Sequence, residues 1–71
     1  MKKRVREYHV VIEKDEDGYF VADVPELPGC HTQARSLDNL MERAQEAIQL
    51  WLDVEGEAPK IDFVGVQRIA V

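Results

Sequence analysis

The sequence predicts a small α+β domain in which one helix covers a small antiparallel sheet, in the order β-β-β-α-β. Three observations point there. Two stretches of side chains alternate with a period of two on either side of an Asp-Gly turn. One segment repeats its apolar residues at steps of three and four, and the chain beyond it returns to β-branched types.

Each element has its own local cause. From Arg6 to Glu13, the residues Arg6, Tyr8, Val10 and Ile12 share one face while Glu7, His9, Val11 and Glu13 share the other. That alternation is the pattern of a half-buried strand. Lys14 to Gly18 is a turn, since Asp17-Gly18 tolerates the backbone of a tight hairpin. Tyr19 to Val24 returns, with Phe20, Ala22 and Val24 inward and Tyr19, Val21 and Asp23 outward. Pro25-Glu26-Leu27-Pro28-Gly29 then breaks the ladder, because each proline lacks an N–H and fixes φ. Cys30 to Ala34 makes a short third strand.

Ser36 is a natural N-cap. Leu37, Leu40, Met41, Ala44, Ala47, Ile48 and Trp51 form the stripe of an amphipathic helix over Leu37–Val54, with Asp38, Asn39, Glu42, Arg43, Glu46 and Gln49 on its wet face. Gly56 and Pro59 stop it. A final strand is expected around Val64–Ala70. The helix should cover one sheet face, because a sheet this small cannot leave both faces wet.

At 71 residues the chain is a single domain over 1–71, with 1–5 expected as a flexible basic tail. A core of this size is marginal, and with one cysteine there is no internal disulfide to support it, so self-association into a homo-oligomer is expected. No apolar run approaches the roughly 20 residues that span a bilayer. The basic start Lys2-Lys3-Arg4 lacks the apolar stretch that a signal peptide needs, so a cytoplasmic protein without membrane contact is expected.

The formal charge of −5 is unevenly spread. Lys2, Lys3, Arg4 and Arg6 hold four of the nine basic groups; beyond residue 6, five basic groups stand against fourteen acidic ones, a net of −9. Such a body repels phosphate backbones, which argues against direct nucleic-acid binding, and it speeds encounter with a basic protein.

No residue set points to catalysis. Asp15-Glu16-Asp17-Gly18 has calcium-loop flavour, but strands flank it and its acidic series stops at the glycine, so it reads as a hairpin turn. His9, Cys30 and His31 lack the paired spacing of a zinc site. Cys30 and His31 are neighbours on a strand and point to opposite faces, which separates a nucleophile from its base. Cys30 reads as a small buried hydrophobe and His31 as a surface contact. Asp23, with Glu7 or Glu13, lacks the convergence that a two-metal site requires. No enzyme, metal or cofactor is expected.

Three segments carry a resemblance: Tyr8-His9-Val10-Val11-Ile12-Glu13, Asp17-Gly18-Tyr19-Phe20-Val21-Ala22, and Val24-Pro25-Glu26-Leu27-Pro28-Gly29-Cys30-His31-Thr32-Gln33. Together with the helix close Ala47-Ile48-Gln49-Leu50-Trp51-Leu52, they resemble the HicB-like antitoxin family over roughly residues 7–54. The resemblance implies a truncated ribonuclease-H-like fold without nuclease chemistry. It also implies an antitoxin of a type II pair that neutralises a small basic mRNA-cleaving toxin of the HicA type by direct contact. Family members often have glycine where this chain has Ala34, so a different turn into the helix is expected. Many also carry a DNA-binding domain for which 71 residues leave no room, so the inhibitory domain alone is expected. The alternative is an orphan oligomerising or adaptor module with no toxin.

For the inhibitor, charge selects the contacts: Asp15, Glu16 and Asp17 in the hairpin turn, Glu26 in the proline loop, and Glu42 and Glu46 on the helix. Pro25, Leu27, Pro28 and Gly29 are expected to shape the loop, and Trp51 to belong to the core.

Overall fold

Asp15 organises the first chain reversal. Its Oδ1 accepts hydrogen bonds from the amides of Asp17 and Tyr19, and its carbonyl accepts from Gly18. Gly18 completes the turn at φ +86°, a conformation that glycine adopts without steric penalty. The computed structural model describes residues 6–71, so the basic tail expected at 1–5 lies outside the described residues. The hairpin joins β1 (Val11–Lys14) to β2 (Phe20–Asp23), paired antiparallel with Ile12 opposite Ala22 and Lys14 opposite Phe20.

After β2, the proline loop folds on its own backbone: the Leu27 amide bonds to the Val24 carbonyl and the Cys30 amide to the Leu27 carbonyl. Gly29 turns the chain at φ +81° into β3 (His31–Ala34), which runs antiparallel to β2. The sheet order is β1-β2-β3. Ser36 caps α1 (Leu37–Glu55), accepting from the Asn39 amide at 3.2 Å, and the Gly56 amide closes the other end on the Leu52 carbonyl.

The α+β class, the antiparallel run of the first three strands and the covering helix are as the sequence predicts. The first strand is shorter than expected, beginning at Val11 rather than Arg6. The ladder ends where its partner does: the next bonded pair in this register would join His9 to Pro25, which has no N–H. The second and third strands likewise lose a terminal residue or two, and the helix runs one residue past Val54. Ala34 ends β3 buried in the core, and among the described residues only glycines have positive φ. Its methyl group therefore adds apolar contact without strain.

The larger correction concerns Val64–Ala70, which forms no strand; among the described residues the sheet has three. Val64, Val66 and Ile69 are 96%, 74% and 79% exposed. Their residue types favour a strand, but a strand also needs a ladder, and this segment pairs with neither free edge of its own sheet.

Two small buried clusters hold the layers together. Ala22, Ala34 and Leu40 join sheet and helix, with Val10 and Phe20 packed beside them. Val24, Leu27 and Cys30 join the proline loop to the helix through Ala47, Ile48, Trp51 and Leu52, with Tyr8 and Val10 closing the side. The helix rests on β3 and β2 and does not reach β1. Ile12, on the helix-side face of β1, is consequently 42% exposed.

Candidate partner-binding surface

The acidic side chains singled out by charge fall into three groups. In the hairpin turn, Asp15 is committed to its own backbone, while Glu16 and Asp17 are exposed at the tip. On α1, Glu42 and Glu46 lie one turn apart on the solvent face and line one shallow depression with Asn39 and Arg43. Glu26 stands apart from both. Its Oε1 and Oε2 accept from the His9 amide at 3.1 and 3.2 Å, and Oε2 lies 2.7 Å from His9 Nδ1. A carboxylate only accepts, so Nδ1 carries the proton in this bond.

Burial works to raise the Glu26 pKa. The hydrogen bonds from the His9 side chain, from its own backbone and from the His9 backbone, together with the His9 charge, outweigh it and hold the carboxyl below its usual value of 4.5. Among the described residues His9–Glu26 is the one contact at salt-bridge distance, ionic when His9 is protonated, and Glu16, Asp17, Glu42 and Glu46 make no such contact.

The surface also carries two grooves, one of them bordered by Glu26. One, of about 410 Å³, runs between the proline loop and the helix and is lined by Pro28, Gly29, Cys30, Leu50, Trp51 and Val54 among others. Its apolar wall includes Leu50 and Val54, 64% and 71% exposed. The other, of about 430 Å³, lies between the segment before β1 and the segment after the helix. There the His9 ring stacks on Phe63 with centroids 4.1 Å apart.

Sequence reasoning did not find the tie between His9 and Glu26, which are seventeen residues apart and belong to no local pattern. Two further ties also escaped it. Trp51 Nε1 donates to the Pro28 carbonyl at 2.9 Å, fixing the helix to the proline loop. Arg35 donates to the Tyr19 hydroxyl at 2.8 Å and lies over its ring. Trp51 is half-buried in the cluster around Leu27, so it packs inward as expected.

Cys30 and His31 face opposite sides, Cys30 buried and His31 exposed across from Asp23. Burial, and secondarily the charge of Asp23, push the Cys30 thiol pKa up, away from nucleophilic use. Among the described residues no three His, Cys, Asp or Glu side chains gather as a metal site. Among the described residues no helix is long and apolar enough to cross a membrane.

Comparison with known proteins adds an independent line. A family model described as "HicB_like antitoxin of bacterial toxin-antitoxin system" matches residues 8–65. A UPF0150 protein of Archaeoglobus fulgidus is 59% identical over 64 residues, covering 90% of this chain and 93% of that protein. One from Synechocystis is 39% identical over 67 residues (93% and 96% covered), and one from Helicobacter pylori is 48% identical over 63 residues (89% and 85% covered).

Proposed function

This chain belongs to the HicB-like antitoxin family of bacterial toxin-antitoxin systems, and from that premise we propose that it neutralises a small basic toxin by direct protein contact. The toxin is of the HicA type, an mRNA-cleaving protein whose cationic surface must reach RNA. The antitoxin is non-catalytic: it acts by covering that surface in the cytoplasm, as a homo-oligomer, without binding nucleic acid itself. The whole chain, 1–71, is the inhibitory domain.

The observation that carries this reading is the set of uncommitted carboxylates. Glu16 and Asp17 at the hairpin tip and Glu42 and Glu46 on α1 are exposed and form no salt bridge among the described residues. Leaving them unpaired costs the free protein little in water and leaves them available to a basic partner. Opposite charge steers encounter and penalises wrong partners more than it adds affinity, which suits an inhibitor that must find its target quickly. Asp15 and Glu26 contribute by holding the turn and the loop, and lend charge to the same field.

The test is co-expression with any small basic protein encoded beside this gene. Copurification, growth rescue and a complex that weakens with salt are expected. The double variants Glu16→Lys/Asp17→Lys and Glu42→Lys/Glu46→Lys should slow association and flatten its salt dependence while leaving the fold unchanged. A complex indifferent to both variants overturns the electrostatic mechanism. Absence of any complex or rescue overturns the antitoxin reading in favour of an oligomerising module.

A further inference from the structure

The segment after Phe63 has the residue types of a strand but no ladder to join. Val64, Val66, Ile69 and Val71 are all largely exposed, and both faces of the segment are apolar, Val64 and Val66 on one and Ile69 and Val71 on the other. A β-branched segment of this kind in water exposes backbone and apolar surface together, which is unfavourable on both counts. The sheet, for its part, has two edges left unpaired by the described residues.

The ladder pattern shows which amides each edge offers. The Asp15 amide bonds to the Tyr19 carbonyl, and bonded pairs alternate along an antiparallel ladder. Glu13 and Val11 therefore spend their amides on β2, and Ile12 and Lys14 aim theirs outward. On the other side the Val24 amide bonds to the Cys30 carbonyl, so the outward amides of β3 are those of His31 and Gln33.

We propose that residues 64–71 form the fourth strand of a second copy of this chain, laid along the free edge of its β1, and that the second copy returns its own arm in exchange. Two features select β1. Phe63, the last residue before the arm, is stacked on His9 of its own chain, so the arm departs from the β1 flank of the domain. And β1 is the strand that the helix leaves uncovered, with Ile12 partly exposed on the helix-side face. The occupant is a second copy because each chain carries one surplus arm and one edge in need of it. A two-fold exchange satisfies both chains and closes, leaving no arm free to propagate a fibre. This inference does not depend on the antitoxin reading.

The experiment compares the full chain, a chain ended after Phe63, and the full chain carrying Val66→Pro, which removes a ladder donor and should leave the three-stranded core intact. Sedimentation from micromolar to near-millimolar protein should give a dimer for the full chain and half that mass for both variants, with helical circular dichroism retained. If truncation unfolds the protein, Val66→Pro supplies the comparison. Amide exchange at Ile12 and Lys14 should be about tenfold or more slower in the full chain than in the variants. A monomeric full chain, or a dimer that survives both variants, overturns the proposal. Protection of Ile12 and Lys14 in a monomer means that the arm folds back on its own edge, and protection at His31 and Gln33 instead places it on β3; either result refutes the exchange as stated.

Discussion

Leu27 lies in the middle of the Val-Pro-Glu-Leu-Pro-Gly-Cys signature, yet it is fully buried. Its side chain sits between Val24 and Cys30, with Ala47, Ile48, Trp51 and Leu52 of α1 packed over them. Leu27→Ala should therefore act on folding rather than on recognition. Removing a fully buried leucine side chain costs about 2.7–5 kcal/mol, depending on how far the site collapses. Here the cluster borders an open groove walled by Trp51 and Cys30, which allows partial collapse and favours the lower end, about 3 kcal/mol.

A chain of this length holds about 4–11 kcal/mol in total at roughly 0.05–0.15 kcal/mol per residue. The substitution should thus remove a quarter to three-quarters of the stability and lower the melting temperature by about 12–24 °C. Urea unfolding is the assay, followed by far-ultraviolet circular dichroism and by the fluorescence of Trp51, the single tryptophan and a direct reporter on this cluster. Coincident transitions with a lowered midpoint and an unchanged slope are expected. A loss below about 1 kcal/mol would refute the reasoning, because no well-packed core leucine is that cheap to remove.

Other perturbations probe the remaining ties. Trp51→Phe removes the bond to the Pro28 carbonyl and should cost about 0.5–1.5 kcal/mol in a urea series read by circular dichroism, more than a phenylalanine packing equally well would show. Glu26 has its folded pKa depressed, so its contribution is present above the unfolded carboxylate value and is lost as pH falls through the folded one. Urea midpoints of the native chain should accordingly drop more across the acid limb than those of Glu26→Gln; parallel curves for the two would contradict the His9–Glu26 tie. The Cys30 thiol, buried and raised in pKa, should react with a thiol reagent only at the rate of opening, so urea should accelerate the reaction steeply, and immediate labelling of the native chain would place Cys30 outside the core.

Much of the fold was legible because its causes are local. Ser36 and Gly56 cap α1 through bonds spanning three and four residues, and Asp15 to Gly18 close the hairpin within themselves. What escaped depends on distance or on neighbours. The true start of β1 is set by Pro25 on the opposite strand, a cross-strand effect that the alternation of residues 6–13 does not carry. Val64–Ala70 has strand chemistry, but whether it pairs depends on an edge that no sequence window contains. At the candidate surface the positions of the acids were readable from spacing. Their commitments were not: Asp15 and Glu26 turned out to be engaged internally, Glu26 through a histidine on another element.

The helix resting on β2 and β3 but not on β1 gives the domain a weak side. Opening β1 breaks one ladder and the stacking of His9 on Phe63, yet leaves Leu27 and Leu40 under the helix, so it costs less than any opening that lifts the helix. A protease that samples open states would thus enter at the β1 hairpin, where Lys14 is exposed, well before the helix yields. Whatever covers that flank would close this route of entry and protect the hairpin along with the helix.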